Sequence, residues 1–85
     1  MAAAKKVGKV DHYYDKIGVA VVIVEGPISV GDELEFRDKD ETPKFTQKVT
    51  SMQIEHEKVG KVKKGEDIGM KVDKEVKEGD LVYKL

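Results

Sequence analysis

His12, Tyr13, Tyr14 and Asp15 follow one another in the chain. An imidazole beside a hydroxyl and a carboxylate is the raw material of general acid–base chemistry, but catalysis also needs an orienting partner and a pocket. Neighbours on an extended strand point to opposite faces, so four consecutive residues make no constellation. The tetrapeptide reads as a strand end with surface aromatics. His56 stands between Glu55 and Glu57 without a second histidine at ligand spacing, so no metal site is expected there. Asp38-Lys39-Asp40-Glu41 has the acidity of a calcium loop but lacks its glycine and distal glutamate, and reads as a polar hairpin loop before Pro43. No catalytic set, metal or cofactor is expected, and the chain is read as a non-enzyme.

Lys58-Val59-Gly60-Lys61-Val62-Lys63-Lys64 is the strongest candidate for a functional site. Four lysines around one glycine predict a mobile cationic loop, suited to phosphates as point charges. The arginines and stacked aromatics of a single-strand binding platform are missing from it. Tyr13 and Tyr14 would supply stacking if the fold brings them near. Lys58, Lys61, Lys63, Lys64, Tyr13 and Tyr14 are therefore the RNA-binding candidates. The alternative for the lysine stretch is a solvated connection between the fourth and fifth strands.

The elements that must position these residues belong to one small domain. The chain has 85 residues, no cysteine and a formal net charge of −1. At this size a single core supplies little net stability, and neither disulfides nor thiolate metal sites can add to it. Fifteen of the sixteen basic residues are lysines, with Arg37 the exception. A balanced charge departs from the basic excess of most nucleic-acid-binding domains, and the Lys/Glu-rich composition is thermophile-like. The charge is segregated: residues 25–41 carry a net of −5 and residues 42–64 a net of +4. That asymmetry marks either a polar binding face or ordinary exposed strand faces. No apolar run is long enough to span a membrane, and Met1 to Lys6 lacks a signal-peptide core. A cytoplasmic location is the expectation.

Helix signals are almost absent. Ile17 to Val24, "IGVAVVIV", is β-branched and reads as a central strand covered on both faces. "DELEFRD" alternates with Leu34 and Phe36 on one face, "DIGMKV" with Ile68, Met70 and Val72, and the tail with Leu81, Tyr83 and Leu85. "KFTQKVTSMQIEHE" changes phase between Phe45/Val49 and Met52/Ile54, which predicts a β-bulge near Thr50-Ser51 bending a long strand across two parts of a barrel. A first strand is expected around Lys6 to Tyr14, although its apolar residues also change phase.

One turn occurs three times, as "VGDELEF", "KGEDIGM" and "EGDLVYK". Each places a glycine, free to take positive φ, ahead of an acid that can accept backbone N–H bonds. These are strand entrances at Gly31-Asp32, Gly65-Glu66 and Gly79-Asp80. Strands at short intervals with such punctuation predict an all-β fold, a small closed or partly open antiparallel β-barrel of about six strands over residues 5–85. Residues 1–4 are expected to be a flexible N-terminus.

The ordered series "GVAVVIVEGPISVGDELEF", "VTSMQ", "VKKGEDIGMKV" and "VKEGDLVY" resembles the second domain of translational GTPases such as elongation factor Tu and initiation factor 2. Gly26, Gly31, Asp32, Val49, Ser51, Gly65, Gly69, Gly79 and Asp80 occupy the matching places, and the resemblance covers nearly the whole chain. It is also similar to the stand-alone translation-factor-like proteins of prokaryotes and to the C-terminal barrel of the collagenase-like peptidase family. The resemblance implies that these glycines and acids serve as structural turns. It supplies no partner-contacting residue, and no P-loop is present, so no nucleotide is expected to bind.

Two functions follow. The first is a non-catalytic module associating with tRNA, ribosomal RNA or the translation apparatus. The second is a protein-interaction subunit that completes or regulates an enzyme in trans, its partner belonging to the translation or RNA-modification machinery. A monomer without membrane contact is expected in either case.

Overall fold

The computed structural model describes residues 4–55 and 57–85. Of the expected N-terminal segment 1–4 only Ala4 is described, and His56 lies outside the described residues. Ten strands and no helix are present among them: β1 (Lys5–Tyr14), β2 (Val19–Val24), β3 (Ile28–Ser29), β4 (Glu33–Arg37), β5 (Pro43–Lys48), β6 (Met52–Ile54), β7 (Glu57–Val59), β8 (Lys61–Val62), β9 (Asp67–Lys71) and β10 (Leu81–Lys84).

Eight strands form one antiparallel sheet in the order β5-β4-β10-β1-β2-β9-β6-β7, and β3 pairs with β8 in a short second ladder. β5 and β6 lie six strands apart in this order, about 29 Å across a flat sheet. Yet only residues 49–51 join them, a link that reaches at most about 14 Å from Lys48 to Met52. The sheet must therefore curl until its two ends approach. The result is the all-β, partly open antiparallel barrel expected from the turn series. Gln47, buried in β5, spans the open seam: its Nε2 donates to the Lys71 carbonyl at 2.9 Å and its Oε1 accepts the Asp73 N–H at 2.8 Å.

The three repeated turns are built alike. Gly31, Gly65 and Gly79 have φ of 96°, 97° and 94°, as the third residue of a type II turn demands. The side chains of Asp32, Glu66 and Asp80 accept the N–H groups of Ser29, Lys63 and Lys77, each at 2.8 Å. Each turn is also fastened to one buried valine. The glycine N–H donates to the carbonyl of Val49, Val24 or Val10, and the same valine's N–H donates back to the carbonyl of Asp32, Glu66 or Asp80. All three valines belong to the core. The repetition is thus a set of pins holding strand entrances to the barrel wall.

Leu34, Phe36, Ile68 and Met70 are fully buried, as their alternation requires. Phe36 stacks on its cross-strand partner Phe45 with centroids 4.8 Å apart. In β1 the phase change is absorbed by register shifts at Lys6/Gly8 and Val10/His12, which let Val7 and Val10 both face inward. Gly26 meets β1 closely, its N–H sharing the Val7 carbonyl with that of Glu25.

Four expectations are corrected. The phase change after Val49 is resolved by a break in the strand at 49–51 rather than a bulge near Thr50-Ser51, because the two halves pair with different neighbours. Breaks of this kind, with the short β3–β8 ladder, raise the strand number from about six to ten. β2 is central but covered on one face only: Ala20, Val22 and Val24 are buried, whereas Ile23 is 38% exposed. In the tail Val82 joins the core, Tyr83 is buried on the opposite face beneath Arg37, Leu81 is half-buried and Leu85 is 52% exposed.

Candidate interaction surface

The outer face of β2, with the end of β1 and the turn between them, carries apolar side chains, bordered on β9 by Asp67, Gly69 and Lys71. Register sets the row. Tyr14 lies opposite Val19, and His12 opposite Val21. Val21 lies opposite Gly69, Gly69 opposite Gln53, and Gln53 opposite Lys58. Directly opposed residues share a face, so these side chains line one outer surface. Ile17, at the tip of the β1–β2 turn, is 63% exposed and Tyr14 is 49% exposed. Tyr14, Ile17, Val19, Gln53, Glu55 and Gly69 enclose a shallow groove of about 400 Å³. Contiguous exposed apolar patches larger than roughly a few hundred Å² are uncommon on monomeric proteins.

The sequence-derived candidates are distributed across the molecule. Tyr14 and Lys58 fall on this outer face. Tyr13, opposite Ala20, faces inward and packs against the core. His12 and Tyr14 sit ring against ring at 4.4 Å on the outer face, with Tyr13 on the other, so the tetrapeptide forms no single constellation. The lysine stretch is strand β7, a bend at Gly60 and strand β8, not the free loop expected, because β8 is tied to β3 and Val62 is buried. Lys61 and Lys63 border a second shallow groove with Pro27, Val62 and Glu66. Lys64 is exposed in the turn before Gly65. Gly69 was expected at a turn but lies inside β9.

A second outer cluster involves the single arginine. Arg37 Nε donates to Glu35, and its guanidinium lies 3.9 Å over the Tyr83 ring. The Tyr83 hydroxyl donates to Glu41 at 2.8 Å. The hydrogen bond to Glu41, with desolvation and the nearby carboxylate charge, raises the Tyr83 pKa above its ordinary value of 10.0. The bond to Glu35 raises that of Arg37. The acidic loop 38–42 is closed on itself, with Asp38 Oδ1 accepting the N–H groups of Asp40 and Thr42, each at 2.9 Å. Among the described residues no three potential ligands are placed to hold a metal ion, and no helix is long and apolar enough to cross a membrane.

Crystal structures of the C-terminal domain of a Geobacillus thermoleovorans protein named as a U32 peptidase superpose with a TM-score of 0.86 at 22% identity, covering 95% of this chain and 92% of that one. The selenomethionine variant of that domain gives 0.83 at 21% identity, covering 92% and 96%. The fold is that of this peptidase C-terminal domain. A Methanocaldococcus jannaschii protein named as an uncharacterized protease is 38% identical over 80 residues, which are 94% of this chain and 19% of that protein. The chain thus spans about a fifth of the length of the curated relative it matches. No protein-family model matches. These findings support the resemblance to the C-terminal barrel of collagenase-like peptidases; they lend none to the resemblance to translation factors.

Proposed function

We propose that this protein is a non-catalytic protein-interaction module that docks onto, and completes or regulates, a peptidase-type catalytic chain. The observation that carries the reading is the apolar strip of Tyr14, Ile17, Val19 and Ile23 left uncovered on the outer face of β1 and β2. The fold likeness supports it, since the solved neighbours are C-terminal domains of a longer protein. So does the proportion of the archaeal relative, four fifths of which lies outside the matched segment. A barrel with a filled core offers binding surface but no deep pocket for chemistry of its own. The test is co-purification of the tagged full-length protein from its native cells. A peptidase-type chain that stays bound after nuclease treatment is the expected result, and its absence overturns the reading.

A second reading, attachment to RNA, is favoured by one observation. Lys58, Lys61, Lys63 and Lys64 are exposed, and none of the ion pairs among the described residues uses them. Four neutralised phosphates give a slope of log K against log salt of roughly −3 to −4. Titration of the labelled protein with bulk tRNA at two salt concentrations measures it. An unchanged slope after Lys61, Lys63 and Lys64 are replaced by Ala removes these residues from that reading.

A further inference from the structure

Gly69 sits in the middle of β9, between Val21 on one neighbouring strand and Gln53 on the other. A glycine inside a strand destabilises it, by greater freedom of the unfolded chain and loss of a packed side chain. Several other glycines have internal reasons, whereas Gly60, which also lacks them, lies in a bend and not inside a strand. At Gly8 an added Cβ would stand 2.7 Å from Val22 Cγ1 and 3.1 Å from the Ile23 carbonyl, so no side chain fits. Gly31, Gly65 and Gly79 need positive φ.

Gly69 has neither reason. Its φ is not positive, and an added Cβ would meet Val19 Cγ1 at 3.4 Å and the Gln53 carbonyl at 4.0 Å, ordinary contacts. An alanine would fit and would make a better strand. The pairing of β9 with β2 runs through Gly69 without a register shift, so the glycine marks no bulge; what such a glycine then serves is a bend of the wall or the close approach of another group. Glu55 is a second locally unfavourable choice at the same groove. It has φ 50° directly after β6, a backbone region uncommon for residues other than glycine.

We infer that Gly69 is the floor of a socket for one uncharged apolar side chain, aromatic or leucine-sized, projecting from the peptidase-type catalytic chain. This rests on the function proposed above. Val19 and Ile17 supply apolar walls, Tyr14 an aromatic one, and the missing side chain at Gly69 leaves the floor of this shallow groove open. Glu55 and Gln53 are the polar residues of the lining, and the apolar walls of Tyr14, Ile17 and Val19 are what suit an uncharged side chain. The archaeal relative, named as a protease, has four fifths of its length outside the matched segment, which leaves room for such a chain.

The test sets stability against binding. Melting temperature and capture of the catalytic chain from native cells are measured for the tagged wild-type protein, Gly69→Ala and Tyr14→Ala. Gly69→Ala is expected to raise the melting temperature by about 2–8 °C and to weaken capture about tenfold or more by filling the socket. Tyr14→Ala is expected to weaken capture with little change in melting. A purely structural glycine would lower both readings, and that result overturns the socket. Gly69→Ala captured as well as wild type also overturns it, while the function proposed above stands. Wild-type protein that captures no peptidase-type chain, or only a second copy of itself or RNA, overturns both.

Discussion

The inside of the barrel and the outside of its β1–β2–β9 wall obey different rules. Inside, every unusual residue answers to the fold. Three glycines take φ near 95° because three turns need it, and each turn is pinned to a core valine by paired backbone bonds. Asp80 is buried at 4% exposure, yet its Oδ2 accepts both the Lys77 N–H and the Lys44 ammonium at 2.7 Å. Outside, the ties to the fold are looser, Tyr14 meeting the His12 ring edge-on at 4.4 Å. Ile17 and Tyr14 stand in solvent, and Gly69 gives up strand stability without an internal reason. The difference separates residues that hold the barrel from the outer residues that we propose serve a partner.

The contrast can be sharpened by substitution. Phe36→Ala removes a fully buried ring stacked on Phe45 and is expected to cost about 3–5 kcal/mol. That is a large part of the stability of an 85-residue domain, and chemical denaturation measures it. Gly31→Ala, Gly65→Ala and Gly79→Ala are each expected to cost about 1–2 kcal/mol. No atom lies within 4 Å of the added Cβ at any of the three, so the cost is backbone strain alone. Near-equal losses at all three would show the turns to be equivalent; one tolerated substitution would break the equivalence.

A smaller effect is expected at alkaline pH. Tyr83 has a raised pKa in the folded protein, so the folded state holds that proton more tightly than the unfolded state. Its contribution is full below the unfolded value near 10.0 and is lost as pH rises through the folded value. Tyr83→Phe should therefore flatten the decline of melting temperature above pH 10. An identical decline in the variant would remove Tyr83 as its source. The smallest change of all is expected for Ile17→Asp, at 63% exposure: melting within about 0.5 kcal/mol of wild type. A large loss there would make the outer strip part of the fold after all.

Much of the interior was legible because its signals are local. Positive φ demands glycine, and an acid one residue later can close the turn, so three glycine–acid pairs announce three turns. The parity change between Val49 and Met52 announced a discontinuity, although a bulge and a broken strand leave the same trace in sequence. The outer face was hidden by the same logic. "VAVVIV" is apolar at every position, so period two has no contrast to reveal which residues point out. "LVYKL" is ambiguous in the same way, and Val82 rather than Leu81 takes the core. Gly69 follows a turn motif so closely that it passes for part of it; only its placement inside β9 shows otherwise. The lysines drew notice by charge alone, and charge does not reveal that Val62 between them anchors a strand.

The central claim, that the β1–β2 outer face is where a peptidase-type chain docks, is tested most directly by photo-crosslinking in native cells. A benzophenone amino acid is placed at Ile17, and as control at Val30, 47% exposed in a turn elsewhere on the barrel. The account predicts an adduct at position 17 whose partner, identified by mass spectrometry, is a peptidase-type catalytic chain, with none at position 30. An adduct at position 30 alone, or one at position 17 to RNA or to a second copy of this chain, would contradict it.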